Sequence, residues 1–534
     1  MTAAVADRID CDVAVVGSGF AGSLTALALA RSGRRVALVE RATHPRFAIG
    51  ESSTPLANLL LENLADRYNL PRVRAFSKWG TWQRTHPEVA VGLKRGFTFF
   101  FHRLNEPFVD DAAHDRQLLV AASPHDEIGD THWYRPDFDH ELVREAHTAG
   151  VLYFDRTNLR TFTEGDLHCT LEGERQNRPF RITAPFVVDA SGPRGFLHRT
   201  LGLPEAPLRW LPHTEGLYSH FTGVARWDDR HPPREGPPPF PRDAAALHHV
   251  FPGGWIWVLP FNNGITSAGA ALTADAARRL AGDTANGVDG VDSGERWTRL
   301  LASLPSIAGQ FRDARAVLPF VRAPRLAFRS AEVCGRRWAM LPSAAGVIDP
   351  LLSTGFPLTL LGILRLLDVL EHTADGADRR LALERYATVT QSELDATELL
   401  VAALYATMGD PVLFKRLSLL YFAAASYSEA ARRLGRADLA PGFLLDEHPS
   451  FSAERRACSA LALEPLSDDA REALVARIDR AIAPFDIAGL GDRTRRDWYP
   501  VVAADAIAGA TKLQATAAQI DDMLRRCGFE AAHG

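Results

Sequence analysis

The sequence has few cysteines, no long uninterrupted hydrophobic run and no excess of basic residues. Five cysteines are scattered along it: Cys11, Cys169, Cys334, Cys458 and Cys527. Their spacing argues against a metal site and a disulfide framework, and it fits a reducing cytoplasm. A net charge of -5 gives no reason to expect a nucleic-acid partner. Residues 1–12 lack the basic-then-apolar order of a signal peptide, so we expect a cytoplasmic protein.

The most apolar candidate helix, residues 356–370, contains Arg365 and Asp368 and is shorter than a bilayer span. It therefore predicts a buried helix, and we expect no membrane contact. A chain of 534 residues is too long for one simple core, which indicates two or three domains.

A β-α-β unit opens the chain. Val13–Val16 is a continuous apolar run, typical of a strand buried on both faces. A small-residue helix is predicted over residues 23–31, and a second strand over residues 35–39 ends at Glu40. Between the first strand and the helix stand three glycines in the order Gly-x-Gly-x-x-Gly: Gly17, Gly19 and Gly22.

Each part of this unit suits a dinucleotide. The first glycine permits a tight turn, the second lets backbone N–H groups approach a pyrophosphate, and the third lets the helix pack on the strand. The helix N-terminus attracts the phosphate charge, and Phe20 and Ala21, just before the predicted helix, are further cofactor contacts. Glu40 can accept a hydrogen bond from a ribose hydroxyl, and Arg41 beside it is a further cofactor contact. The motif alone does not separate NAD from FAD.

Three later segments indicate, by resemblance, that the cofactor is FAD and not NAD. Residues 46–53, 135–142 and 187–192 follow in an order that resembles the large class of FAD-dependent monooxygenases and halogenases. FAD is long and usually bound extended, so distant segments must converge on it. The FAD contacts that this resemblance implies are Arg46, Ile49, Ser52, Arg135, Asp189, Ser191 and Gly192.

Residues 253–260 resemble the W-x-W-x-I-P signature of flavin-dependent halogenases, with Leu259 in place of isoleucine. Trp255 and Trp257 are two apart on a predicted strand and therefore share one face. Together with Pro260 they would form a wall between flavin and substrate, exclude water and keep an aromatic substrate from the flavin. The alternative is two tryptophans that only fill a core.

Residues 348–355 match the turn that, in this family, presents backbone N–H groups to chloride. Thr354 and Gly355 occupy the two halide positions, and Asp349 is a cofactor contact by the same resemblance. The turn opens the apolar helix, whose positive N-terminal end favours an anion. A plain helix start is the alternative. Where the tryptophan halogenases have a glutamate in this turn, the sequence has Leu352, which argues against tryptophan as the substrate. Where the family has an aspartate that contacts the ribityl chain, the sequence has Ser343, which predicts that FAD binds weakly and exchanges.

The family also has one essential lysine at the head of a strand, about five residues before an aromatic. Most of the 60 basic residues are arginine, so a retained lysine points to a titratable amine. Lys94, before Phe97 and Phe99, fits the pattern best and is the predicted catalytic residue, while Lys78 is the second choice. The alternative is a lysine that merely protects a strand edge.

Together these motifs resemble the flavin-dependent halogenases, and residues 45–53, 64–68 and 247–263 resemble the pyrrolnitrin-pathway halogenases that act on an aminophenyl-pyrrole. The resemblance implies a mixed α/β fold: an FAD/NAD(P)-binding Rossmann-like domain of the aromatic-hydroxylase type, a substrate sheet and a helical C-terminal region. The expected segments are 1–205 and 331–375 for the FAD-binding domain, 206–330 for the substrate sheet and 376–534 for the helical domain.

The implied activity is FADH2- and O2-dependent chlorination or bromination, through hypohalous acid, of an electron-rich pyrrole, phenol or indole in antibiotic or other natural-product biosynthesis. A separate NADH-dependent flavin reductase is the expected partner, because no second nucleotide motif is present. A carrier-bound substrate and a monomer or homodimer both remain open, and no metal is expected. The alternatives are a flavin-dependent aromatic hydroxylase, which needs no halide, and a flavin-holding scaffold without turnover.

Overall fold

The computed structural model describes residues 7–234, 236–281 and 292–529. Residues 1–6, on which the signal-peptide prediction partly rests, lie outside the described residues.

A five-stranded parallel sheet forms the centre of the cofactor domain. Its strands, in spatial order, are Trp338–Met340, Phe186–Asp189, Val13–Val16, Val36–Val39 and Leu152–Phe154. The predicted β-α-β unit is confirmed, although the helix is longer than predicted and spans Phe20–Arg31. That helix packs on Arg135–Thr148 and Gly355–His372. Because helices cover the sheet, its inner strands are buried on both faces and read as continuous apolar runs.

A four-stranded sheet lies beside the parallel sheet. Three antiparallel strands, Thr157–Glu164, Cys169–Arg175 and Arg178–Ala184, form it together with Asp7–Asp10, which pairs in parallel. The alternation of polar and apolar residues over 152–183 predicts a β-meander, and this prediction was wrong at its start. Leu152–Phe154 belongs to the parallel sheet, because its half-buried residues pair with the strand that ends at Val39.

The third sheet is the largest and is built mostly from antiparallel pairs. Its strands are Arg315–Ala316, Thr214–Thr222, Thr266–Thr273, Gly254–Pro260, Ala246–Phe251, Gly96–Phe101, Gln117–Ala121 and Trp498–Tyr499, with Val321–Ala323 also pairing to Thr214–Thr222. The sheet is therefore not confined to residues 206–330, since three of its strands come from the first and last predicted segments. The four-segment division stays a prediction about folding units.

Two short antiparallel pairs complete the strands. One joins Val91–Lys94 to Asp130–Trp133 and places Lys94 directly opposite Asp130. The other joins Phe328–Arg329 to Gly346–Val347.

Helices dominate the described chain after residue 355. Their bounds, beyond those already given, are Pro55–Arg67, Pro71–Ala75, Trp79–Thr85, Phe196–Thr200, Trp227–Arg230, Ala274–Ala281, Ser293–Ala302, Pro305–Gln310, Pro342–Ala345, Ala377–Ala406, Pro411–Arg433, Pro449–Leu461, Asp468–Ile482, Ala503–Ala508 and Ala517–Arg526. One stretch, Leu351–His372, is long and apolar enough to cross a bilayer, but 78% of its most apolar window is buried inside the protein. It is the core helix predicted at residues 356–370.

Candidate functional site

A cavity of about 750 Å³ lies where the carboxyl ends of the parallel strands face the large sheet. Val16 and Val39 line it from the first sheet, and Ala246 and His248 line it from the second. This edge of a parallel sheet is where cofactors bind in open α/β folds. The predicted site residues on its surface are Gly17, Gly19, Phe20, Ala21, Glu40, Arg41, Arg46, Ile49, Ser52, Arg135, Ser191, Gly192, Trp255, Trp257, Asp349, Thr354 and Gly355. The other predicted residues do not line the cavity: Gly22, Lys78, Lys94, Asp189 and Pro260.

The glycine loop is packed too closely for side chains. Gly17 has φ +98°, and a Cβ there would lie 2.6 Å from the carbonyl oxygen of Ala190. A Cβ on Gly22 would lie 1.8 Å from the carbonyl oxygen of Gly17. Gly22 thus serves the contact between helix and loop, while Gly17 and Gly19 face the cavity.

Glu40 closes one end of the cavity. Its carboxylate accepts hydrogen bonds from the amides of Ser18 (3.1 Å) and Ala42 (2.9 Å) and from the Arg46 guanidinium (3.1 Å). Burial raises the pKa of Glu40, but Arg46 and the amide hydrogen bonds outweigh burial and lower the pKa overall. The carboxylate is therefore held ionised, as an acceptor for a ribose hydroxyl requires.

Arg135 ties two chain segments together at the cavity. It forms two hydrogen bonds of 2.7 Å with Asp139 and donates to the carbonyl oxygens of Ile49 (3.2 Å) and Gly50 (2.9 Å). Its guanidinium also lies 5.0 Å from the ring centroid of Phe20. Arg135 therefore fixes the segment that carries Ile49 and Ser52 on the cavity surface.

Asp189 shapes its own turn. Its carboxylate accepts from the amide (2.8 Å) and hydroxyl (2.5 Å) of Ser191 and from the amide of Leu197 (2.6 Å). These bonds hold Ser191 and Gly192 at the cavity surface, while Asp189 itself is fully buried behind them.

The two tryptophans lie side by side on the cavity surface, with ring centroids 5.6 Å apart. The indole N–H of Trp255 donates to the hydroxyl of Tyr405 (3.2 Å), and that of Trp257 donates to the hydroxyl of Ser267 (3.3 Å). Both rings are thus fixed in orientation. Pro260 ends the same strand, away from the cavity.

The turn that ends at Thr354 and Gly355 is held by two tyrosines from the C-terminal helices. The Tyr405 hydroxyl donates to Asp349 Oδ2 (2.9 Å), and the Tyr421 hydroxyl donates to the carbonyl oxygen of Leu352 (2.9 Å). Asp349 also accepts from the Leu351 amide (2.9 Å). Burial raises the pKa of Asp349 to about 6, against the hydrogen bonds that it accepts.

Tyr405 was not among the predicted residues, yet it joins the wall to the turn through Trp255 and Asp349. Tyr405→Phe would leave a buried indole N–H and a buried carboxylate oxygen without this partner, at a cost of about 1–3 kcal/mol. With the halide role that the family resemblance implies for this turn, we expect the half-saturating halide concentration to rise about 5- to 100-fold, measured as halide dependence of turnover.

Tyr427→Phe is the matched control for this prediction, because the Tyr427 hydroxyl donates to the carbonyl oxygen of Lys512 (2.8 Å) in the helical region. An unchanged halide dependence in Tyr405→Phe would show that the tyrosine does not support the turn.

Lys94 lies one residue layer behind the cavity and is fully buried. Its Nζ donates to the hydroxyl of Ser52 (2.9 Å) and to the carbonyl oxygen of Ser53, and it lies 3.8 Å from the ring centroid of Phe97. Burial lowers the pKa of Lys94, and the charge of Asp130 opposes this. Lys78 is only half-buried and directly precedes the helix Trp79–Thr85. Of the two candidates, Lys94 is thus the one in contact with a cavity residue, Ser52.

A buried pair, Glu51 and His220, adjoins the site. The pair was not predicted from the sequence. Glu51 lines the cavity, and its Oε1 lies 2.9 Å from His220 Nε2. The second carboxylate oxygen has no hydrogen-bond partner. Residues 51 and 220 are far apart in sequence, so no spacing could have indicated the pair.

The polar groups that line the cavity suit the binding of FAD. The buried hydroxyl of Ser343 lines it and has no hydrogen-bond partner in the protein, and Arg46 Nε is likewise unpartnered. Buried polar atoms without protein partners indicate a ligand or water that satisfies them. Ser343, at the position where the family has aspartate, can therefore bond a ribityl hydroxyl, with one hydrogen-bonding group fewer than a carboxylate offers.

Comparisons with known proteins show which family the chain belongs to. The family model described as FAD dependent oxidoreductase matches residues 12–355. Monodechloroaminopyrrolnitrin halogenase PrnC of Pseudomonas fluorescens is 31% identical over 419 residues, which are 75% of this chain and 68% of that protein. Tetracycline 7-halogenase of Kitasatospora aureofaciens is 32% identical over 396 residues, 72% of this chain and 67% of that protein.

Among solved structures, the crystal structure of halogenase PltM in complex with phloroglucinol and FAD is similar with a TM-score of 0.80 and 25% identity. The match covers 91% of this chain and 99% of that one. The resemblance predicted from the sequence motifs is thereby confirmed. The chain belongs to the flavin-dependent halogenases, FAD-dependent oxidoreductases that use FAD, a halide and O2.

Proposed function

We propose that this protein is a two-component, FADH2-dependent halogenase that chlorinates or brominates an electron-rich small aromatic through hypohalous acid. The observation that carries the proposal is a single cavity bounded by the Thr354–Gly355 turn and the two tryptophans, with the Lys94 amine buried directly behind Ser52. A halide, an oxidised halogen species and an amine that can handle it would meet around this one space.

The chemistry that FAD supplies when bound is activation of O2, which oxidises the halide. Gly19 and the N-terminus of the helix Phe20–Arg31 would hold its pyrophosphate, and Glu40 its adenosine ribose. Ser191 and Ser343, at the cavity surface, would bond its ribityl chain.

The chain's own residues then act on the halide and on what it becomes. Backbone N–H groups at Thr354 and Gly355, where the helix Gly355–His372 begins, attract the anion. Trp255 and Trp257 exclude water and keep the substrate ring away from the flavin. Hypohalous acid that passes this wall would meet the cavity surface at Ser52, whose hydroxyl is hydrogen-bonded to Lys94. The lysine is a hydrogen-bond donor as an ammonium and a nucleophile as a free amine.

The proposed substrate is a pyrrole, a phenol or an indole other than tryptophan, free or bound to a carrier protein. Leu352 is fully buried, and the turn has no carboxylate where the tryptophan enzymes have one. PrnC is named for an aminopyrrolnitrin and the second relative for tetracycline, and the PltM structure contains phloroglucinol. Each of these compounds contains an electron-rich ring, which favours the same class here.

The proposed partner is a separate NADH-dependent flavin reductase, since the sequence has one dinucleotide motif and the weakened ribityl contact at Ser343 suits flavin that exchanges. A cytoplasmic monomer or homodimer in natural-product biosynthesis completes the proposal, with residues 1–205 and 331–375 as the FAD-binding unit.

The experiment that tests this function needs no substrate. FADH2 is bound to the protein, O2 is admitted, and an acceptor that traps hypohalous acid is added with and without chloride or bromide. We expect trapping that depends on the halide. Flavin oxidation without any halide effect would instead support an aromatic hydroxylase, and no reaction would support a scaffold.

A further inference from the structure

Lys94 and Asp130 form a cross-strand pair deep in the protein. They lie directly opposite each other where Val91–Lys94 pairs with Asp130–Trp133. Lys94 is 0% exposed and Asp130 is 2% exposed. Two buried groups of opposite charge on adjacent strands influence each other's ionisation strongly, because little water screens them.

Hydrogen bonds join the same two residues a second time, through the start of the helix Pro55–Arg67. Lys94 Nζ donates to the carbonyl oxygen of Ser53, and the Ser53 hydroxyl donates to Asn58 Oδ1. Asn58 Nδ2 then donates to Asp130 Oδ1 (2.7 Å). This closed set of four residues, the Lys94–Asp130 ring, fixes the carboxyl group relative to the amine.

One carboxylate oxygen in the Lys94–Asp130 ring has no hydrogen-bond partner. Asp130 Oδ2 is buried and has no hydrogen-bond partner, which is costly for an ionised carboxylate. Burial accordingly raises the pKa of Asp130, against the charges of Lys78 and Lys94. The charge of Lys78 and an ammonium at Lys94 both favour the ionised form of Asp130, and the ionised carboxylate in turn favours the ammonium of Lys94.

The other groups that face this pair are the histidines beside the amine and three side chains beside the carboxyl group. Burial lowers the pKa of His132 and of His248 to about 3, so both are neutral near pH 7 and add no charge. The charge of Lys78 lowers the pKa of Asp130 and that of Glu429 raises it, while burial and the charge of Asp130 raise the pKa of Tyr421. Among the charged groups that the structure describes around Lys94, Asp130 is the one whose charge favours the ammonium.

We propose that Asp130 is a positioning residue that sets the protonation state of the Lys94 amine and thereby the pH range in which the protein halogenates. The role of the amine in halogenation rests on the proposed function, but the electrostatic link between the two residues does not. Removing the Asp130 charge makes the ammonium harder to form, so Lys94 titrates at lower pH.

The chain offers a direct measurement, because its lysines are only Lys78, Lys94, Lys415 and Lys512. Lysine labelled with 13C at Cε gives one NMR signal for each, and single Lys→Arg variants assign them. Titration of the holoenzyme with oxidised FAD follows the Lys94 signal. In Asp130→Asn we expect its midpoint to fall by about one pH unit or more. An unmoved Lys94 midpoint would overturn the proposal.

Two further variants keep the test decisive if Asp130→Asn folds poorly. Asn58→Ala keeps the carboxyl group but removes its hydrogen bond, so Asp130 ionises less readily and the Lys94 midpoint falls by a smaller amount. Asp243→Asn is the matched control. It removes another buried carboxylate, one that accepts from the amides of Trp227 (2.7 Å) and Asp228 (2.9 Å), and it should leave Lys94 unmoved. An equal shift in the control would also overturn the proposal.

The pH profile of halogenation gives the second readout. If the ammonium of Lys94 acts, its titration sets the alkaline limb of the pH profile, and if the free amine acts, it sets the acid limb. In either case that limb moves to lower pH in Asp130→Asn. A Lys94 midpoint that moves while neither limb does would refute the functional half of the proposal. Halogenation by a Lys94→Ala protein would refute the proposed function of Lys94 instead.

Discussion

Replacing Lys94 with alanine is expected to abolish halogenation while FAD binding and hypohalous acid formation persist. The Nζ touches Ser52, which is one of the expected FAD contacts, whereas Glu40 and Ser191, two others on the cavity surface, are held by hydrogen bonds that do not involve Lys94. Loss of a positioned acid–base group typically costs about 10²- to 10⁴-fold in rate. The measurement pairs halogenated product with flavin titration and with the hypohalous acid trap.

Two further variants make this result specific. Lys94→Met keeps most of the side-chain volume, so its loss of product would exclude simple collapse around a buried space. Lys78→Met removes the second candidate, which is half-buried and, unlike Lys94, donates no hydrogen bond to Ser52 in the described structure, and we expect it to halogenate. An active Lys94→Ala together with an inactive Lys78→Met would reverse the assignment.

Gly17→Ala is expected to prevent stable FAD binding. The new Cβ would lie 2.6 Å from the carbonyl oxygen of Ala190, in a backbone conformation with φ +98° that L-residues rarely adopt. Strain and overpacking together cost about 2–5 kcal/mol, at a turn that must approach the pyrophosphate. We expect a lower melting temperature and at least a 100-fold weaker FAD affinity, read by flavin fluorescence.

Gly33→Ala separates the two causes of that effect. Gly33 also has positive φ (+82°), but a Cβ there meets nothing within 4 Å, and the residue lies just after the far end of the same helix. We expect a small loss of stability and unchanged FAD affinity. Equal damage from both substitutions would mean that backbone strain alone, and not the approach to Ala190, governs the loop.

Prediction from the sequence succeeded where the signal is local. The β-α-β unit follows from apolar runs and glycine spacing within about 30 residues, and these signals do not depend on how the remaining chain folds. It failed at Leu152–Phe154, because the residues of a short half-buried strand do not indicate which sheet the strand joins.

The sequence by itself determined the cofactor unit, the shared face of Trp255 and Trp257, and the turn at Thr354, since each depends on residues a few positions apart. Only the tertiary structure decided that Tyr405 reaches Asp349, that Glu51 meets His220 and that Lys94 faces Asp130. These pairs are 36 or more residues apart in sequence, and strand register and helix packing, which no short motif encodes, bring them together.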